Sequence, residues 1–324
     1  MKLASFRSGG KEKFGLSPDG ARLYDLSAAF HKISAVDGAP RTMLDLIESG
    51  EAGLAKLRTA ATQISKNPGE FDSVAMDSVE MLAPVTRPSK ICCLALNNSA
   101  NADRIMSGPK HPAMFHKPAS ALLGHRGDIE VRPEYGRVHP EPELAVVVGR
   151  AAKNIRAETA YDHVFGYTIH NDITSPTMRG EDTFHYRAIH PKGGDSNEIE
   201  YVDTWVSYPG RYKGADTFSC MGPWIVTKDE IDDPHALAVT CEHQGRLVTE
   251  DNTENLFFKI PEVFAFLSSY TTLWPGDIIS MGTALKKSAK GGAVQNVNLA
   301  ELGGPISVSI EKIGSLVNGV KKVG

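Results

Sequence analysis

No stretch of the 324 residues stays apolar for the roughly 20 positions that a membrane span requires; the longest runs, such as LAVVVG at 144–149, end far sooner. The opening MKLASFRSGGKEKFG has no apolar signal core, so a cytoplasmic location and no membrane partner are expected. Charge of one sign is also missing. Lys and Arg number 35 against 39 Asp and Glu, and a formal charge of −4 gives no basic field for nucleic acid. Cysteine is scarce: Cys92, Cys93, Cys220 and Cys241 offer no C-x-x-C pair for zinc and no disulfide framework, so buried reduced thiols are expected. There is no internal repeat and no low-complexity tract. What remains is a globular composition, 41% hydrophobic and 23% charged, long enough for one large core plus a smaller domain, with a small molecule as the default partner.

The first 35 residues read as short strands around the turns GGKEKF and SPDG, and 42–64 carries apolar residues at helical spacing broken near Gly50 and Gly53. Two prolines and no periodicity mark 82–90 as a linker. The chain is therefore divided into a small α/β N-terminal domain, 1–85, and a larger domain, 86–324, whose first strand begins at Ile91. Short apolar strands dominate the larger part, including 129–132, 144–148, 164–169, 224–227, 237–243, 278–281 and 306–310, with one clear helix over 261–269 opened by Pro261. The class is α+β and β-rich, with a β-sandwich or β-roll as the main body.

The most informative segment is HPEPELAVVVG, 139–149, where Glu141 and Glu143 stand two apart at the mouth of an apolar strand. In extended chain such positions face the same way with Cα atoms about 6.6 Å apart, so the two carboxylates can grip one cation. Pro140 and Pro142 lack the N–H of a central ladder and predict a rigid rim or edge. A third carboxylate, Asp172, ends a second apolar strand, VFGYTIHND.

This arrangement resembles the fumarylacetoacetate hydrolase family. The resemblance rests on five ordered matches: Glu141 to Gly149, Gly166 to Asp172, KGADTFSCMGP from Lys213, GDIISMGT from Gly276, and IEKIGSLVN from Ile310. It implies a mixed β-roll catalytic domain, a homodimer, and a divalent metal held by Glu141, Glu143 and Asp172. Three hard oxygen donors suit Mg²⁺ or Mn²⁺, with Ca²⁺ as a further candidate, and leave positions for the carboxylate and carbonyl of a 2-oxo acid substrate. Lys213 matches the family's site lysine and is expected to serve the chemical step. Lys117, in a matching F-x-K-P segment, is expected to pair with a substrate carboxylate, and the hydroxyl and N–H of Thr283 to cap one.

Two departures bear on the reaction. Hydrolytic members carry N-Y-x-x-H-x-x-E after the first buried strand, where His and Glu activate water; here NNSANADR places Asn98, Asn101 and Arg104 at the Tyr, His and Glu positions. After Asp172 the usual S-A-R-D-x-Q is replaced by a long segment, 174–212, read as a loop carrying Arg179 for substrate and His185 and His190 as substitute bases. His139 shares the parity of the glutamates and is read as lying behind the ligands or facing solvent. The leading expectation is a metal-dependent hydrolase of a C–C bond in an acylpyruvate-type 2-oxo acid, in catabolism of aromatic or sugar-acid compounds. A lyase or isomerase (hydratase, tautomerase or decarboxylase) is the alternative, and a catalytically silent binding homologue the third reading.

Overall fold

The computed structural model describes residues 1–33, 39–286 and 292–324. Among these, twelve strands join one mixed sheet. Its main path runs from Ser73–Ala75 through Arg22–Asp25, Lys11–Leu16 and Lys2–Ser8 to Ser219–Thr227, Val164–Asp172, Pro142–Val148, Ile278–Ser280, Ile91–Ala95 and Ala113–Lys117. A five-stranded sheet, from Arg246–Asn252 to Asp128–Val131, packs its apolar face into the same large core. The α+β, strand-rich class is as expected.

The strands form where alternation and β-branching favour a pleated, buried surface. Pro142–Val148 and Val164–Asp172 are buried at every position, so their near-continuous apolar runs are those of strands covered on both faces. The N-terminal helices, Met43–Glu48 and Gly50–Lys66, break where the sequence places Gly50, which adopts φ +55°. A capping box on Thr42 and Asp45 starts the first.

The boundary at 85/86 is no seam between separate cores. Lys2 pairs with Val226 and Leu3 with Ile225, which puts the N-terminal strands into the catalytic sheet. Leu3, Phe14 and Leu46 share one apolar cluster with Ile91, Val147 and Ile278. The expected rim around Pro142 also needs correction. Its strand is interior, between Val164–Asp172 and Ile278–Ser280, and the proline is tolerated because the ladder to Ile278–Ser280 covers only Ala145 to Val147.

The 174–212 segment is not a loop. After a short helix, Pro176–Glu181, it forms a two-stranded antiparallel arm, Thr183–Lys192 and Asp195–Ser207, turned at Gly193 and Gly194 with φ of +59° and +83°. All four cysteines are buried free thiols. No helix among the described residues is long and apolar enough to cross a membrane.

Candidate metal centre

Register assembles the site. Glu143 lies opposite His170 and Asp172 opposite Ser219, while the Asp172 N–H donates to the Glu141 carbonyl at 2.9 Å. Side-chain alternation then sends Glu141, Glu143, His170, Asp172 and Ser219 to one face. One carboxylate oxygen from each of Glu141, Glu143 and Asp172 lies within 4.8 Å of the others.

Each acid is held differently. Glu143, 1% exposed, accepts from the Ser280 hydroxyl at 2.5 Å, the Gly282 N–H at 3.0 Å and the Thr283 hydroxyl at 3.1 Å. The Thr283 hydroxyl also lies 3.2 Å from Glu141 Oε2, tying the two glutamates together. Gly282 has φ +100°, and a Cβ there would sit 2.8 Å from Asn97 Cβ, so the turn that delivers its N–H accepts only glycine. Asp172 accepts from Lys117 on one oxygen and from Lys213 at 2.6 Å on the other; Lys213 also donates to Glu141 at 2.7 Å.

The electrostatics follow from burial and charge count. Burial, then the Asp172 and Glu141 carboxylates, push Glu143 up to about 8. Burial would raise Asp172 too, but Lys117 and Lys213 outweigh it and hold this acid well below the usual carboxylate range. For Lys213 burial works against the ammonium, and Asp172 and Glu141 more than offset it, holding its proton far more tightly than in water. With all three acids ionised, three carboxylates would face two ammonium groups, an excess of one buried negative charge that a bound cation would offset. An all-oxygen donor set with that excess fits a hard divalent cation, with Glu141, Glu143 and Asp172 as the holders.

The centre opens on a cleft of about 430 Å³ whose walls include Phe115, His139, Arg179, Tyr212, Lys213 and Thr283. His139 is buried rather than solvent-facing. Its Nδ1 lies 3.1 Å from the Pro140 carbonyl, which only accepts, so a ring proton sits on Nδ1, and Nε2 lies 3.9 Å from Glu141 Oε1. Arg179 reaches the cleft from the short helix with an exposed guanidinium.

Several expectations change. Lys117 is fully buried, bonded to Asp172 and to the carbonyls of Ile173 at 3.2 Å and Phe218 at 2.6 Å, so it orients a ligand and has no surface for substrate. Thr283 caps the protein's own glutamates. His185 and His190 are exposed on the arm and absent from the cleft wall; His185 stacks on Trp205 with ring centroids 4.0 Å apart. The side chains of Asn101 and Arg104 lie outside the described residues, but Asn98 is structural, donating to Asp251 at 3.0 Å and to the Thr283 carbonyl at 3.2 Å.

Sequence reasoning missed one group. His170, fully buried, bridges Ser280 at 2.7 Å through Nδ1 and Ser219 at 2.9 Å through Nε2. Because Ser280 commits its proton to Glu143, it accepts from His170 Nδ1–H, and Ser219 must then donate to Nε2. Burial pushes His170 down to about 3, in keeping with this neutral ring. The available signal was parity: His170 stands two before Asp172 and so shares its face.

Residues 90–321 match the family model described as "Fumarylacetoacetate (FAA) hydrolase C-terminal". The chain belongs to the fumarylacetoacetate hydrolase family. The mitochondrial oxaloacetate tautomerase FAHD2B of Bos taurus is 34% identical over 283 residues, spanning 87% of this chain and 80% of its own. The oxaloacetate tautomerase YisK of Bacillus subtilis is 30% identical over 325 residues, spanning 98% and 99%. Among solved structures, maleylpyruvate hydrolase from Sphingobium sp. SYK-6, in complex with manganese(II) ion and pyruvate, superposes with a TM-score of 0.69 at 25% identity over the whole of both chains. The similar members thus include both tautomerases and a hydrolase, acting on oxaloacetate or an acylpyruvate-like acid.

Proposed function

We propose that this family member is a divalent-metal-dependent tautomerase that interconverts the enol and keto forms of a 2-oxo dicarboxylic acid of the oxaloacetate type. The observation that carries this reading is the supply of proton carriers. Among the described residues lining the cleft, His139 offers the only imidazole, and Glu141 the only carboxylate, already committed to the cation site. C–C hydrolysis needs a base to activate water together with a group to protonate the leaving carbon. A keto–enol shift needs one group beside one carbon, plus stabilisation of an enolate oxygen.

A bound Mg²⁺ or Mn²⁺ would polarise the carbonyl of a chelating 2-oxo acid and favour its enolate. Lys213 spends two of its three N–H donors on Glu141 and Asp172, leaving one for an oxygen that gains charge in the reaction. His139 Nε2 carries the lone pair that takes or returns the proton at carbon. Arg179, at the cleft mouth, suits the distal carboxylate of a dicarboxylic substrate by bidentate pairing. Sequence relatives named as oxaloacetate tautomerases support the same reading.

The test is ketonisation of enol-oxaloacetate followed by ultraviolet absorbance with Mn²⁺ present, beside a panel of acylpyruvates scored for cleavage. Acceleration of the first with His139→Ala and Lys213→Ala each slower by on the order of 100-fold is expected, while Mn²⁺ affinity in the His139 variant stays within a few-fold. Rapid acylpyruvate cleavage without tautomerisation would instead establish the hydrolase.

A further inference from the structure

A second cavity, of about 440 Å³, lies between the N-terminal strands Lys2–Ser8 and Lys11–Leu16 and the segment 119–127, and it shares no lining residue with the cleft at the metal centre. Arg7, Glu12, Met81 and Arg87 border it on one side, His125 and Arg126 on the other. A small organic molecule fits such a volume.

The turn that carries His125 and Arg126 is fixed by the closing strand, Gly314–Lys322. Asn318, fully buried, donates to the Gly124 carbonyl at 2.9 Å and to the Gly127 carbonyl at 3.0 Å. The Val317 N–H donates to His125 Nδ1 at 3.0 Å, and the Arg126 N–H to the Val317 carbonyl at 2.7 Å. The asparagine that ends the motif IEKIGSLVN thereby finds its task at this cavity. Gly124 seats the turn on the opposite wall, since a Cβ there would stand 2.0 Å from the Met81 carbonyl oxygen. Arg126 takes φ +68°, a left-handed conformation that glycine adopts more easily, so the fold holds a long cation where backbone preference alone would put none.

The side chains offer donors without acceptors. Arg7 is neutralised by Glu80 at 2.6 Å, and Glu12 accepts from the Thr86 hydroxyl at 2.7 Å. The guanidinium groups of Arg87 and Arg126 have no hydrogen-bond or ion-pair partner among the described residues. His125 is only 8% exposed, and because its Nδ1 accepts a backbone N–H its ring proton sits on Nε2, where it too lacks a partner among the described residues. Burial, then the Arg126 charge, push this histidine down to about 4, so it stays a neutral donor. Three arginines against two glutamates leave the lining with an excess of positive charge, and Met81, Leu82 and Leu123 add apolar surface beside it. Guanidinium groups pair with carboxylate and phosphate oxygens in a matching fork.

We propose that this cavity binds a small organic anion, a carboxylate or phosphate ester with an apolar body, whose anionic head is held by Arg87, Arg126 and the Nε2–H of His125. The site is independent of the reaction assigned to the metal centre.

The test is calorimetric titration of the Mn²⁺-loaded full chain with phenyl phosphate and with benzoate, which share an apolar body and differ in the head, beside benzyl alcohol as the uncharged control. Arg126→Gly removes a charge while relieving the left-handed backbone, and Arg87→Ala removes an exposed side chain without a partner, so both variants keep the fold. Arg179→Ala reports any binding in the metal cleft instead. At least one anion should bind with a dissociation constant below about 1 mM, weakened about 10-fold or more in Arg126→Gly and in Arg87→Ala and unchanged in Arg179→Ala. Whichever anion binds more tightly identifies the head as phosphate or carboxylate. Absence of binding by both anions, equal binding of benzyl alcohol, an affinity unchanged in either cavity variant, or one lost only with Arg179→Ala overturns the site. If Arg126→Gly loses its circular dichroism, Arg87→Ala alone decides by the same criterion.

Discussion

Glu143 gives the most demanding prediction, because the cation binding proposed for it requires the form that its surroundings disfavour. Burial and two neighbouring acids push its pKa up to about 8, so the metal-free protein keeps it largely protonated at neutral pH. Cation binding needs the carboxylate, and binding must then release a proton. The ionised fraction is about 3% at pH 6.5 and about 75% at pH 8.5, which predicts about a 25-fold gain in Mn²⁺ affinity across that interval, levelling off above it. Calorimetric titration in two buffers of different ionisation enthalpy should count close to one proton released per Mn²⁺ at pH 6.5 and a small fraction of one at pH 9. The metal-free protein carries the converse signature. A folded pKa raised above the ordinary 4.5 contributes stability that is present below that value and lost as pH rises to about 8. Asp172, depressed instead, contributes stability that is lost only in acid, below its ordinary 3.8. Between those limits the melting temperature without metal should fall with pH, and Mn²⁺ should restore it most at the alkaline end. A pH-independent affinity with no proton release would refute the reasoning.

Lys117→Met leaves the buried Asp172 with one ammonium instead of two, and should destabilise the fold by about 3–5 kcal/mol in urea titration. Unchanged stability would mean that Asp172 had taken up a proton. Ser280→Ala removes a donor to Glu143 and orphans the Nδ1–H of His170, so Mn²⁺ affinity measured by calorimetry should fall about 10–100-fold with little change in secondary structure.

What the sequence showed of this molecule, and what it hid, divides by the range of the interaction. Strand parity is local, so Glu141 and Glu143 on one face, and Asp172 as the acid ending the next strand, were legible. So were the helix break at Gly50 and the strands themselves, because each follows from a window of a few residues. The pairing of Lys2 with Val226 spans the chain, and no local pattern announces that a linker rich in proline joins two halves of one sheet. The arm was read as a loop for a related reason: with apolar residues on both faces it lacks the one-sided alternation of a half-buried strand.

The charged residues show the same limit at closer quarters. Motif position identified Lys117 and Thr283 as site residues, but their tasks depend on partners 55 and 140 residues away, and both turn out to serve the protein's own carboxylates. The missing His–Glu pair, legible as Asn101 and Arg104, suggested that a base had to come from elsewhere, and the unusual 174–212 segment drew attention to its histidines. On the proposed reading the base is instead His139, two residues from Glu141, whose Nδ1 lies beside the Pro140 carbonyl. One lone pair in that place is sufficient to move a proton on and off a carbon whose enolate is already stabilised. Cleavage makes separate demands for activated water and the departing carbanion, and this difference in proton supply is the ground on which the tautomerase is proposed over the hydrolase.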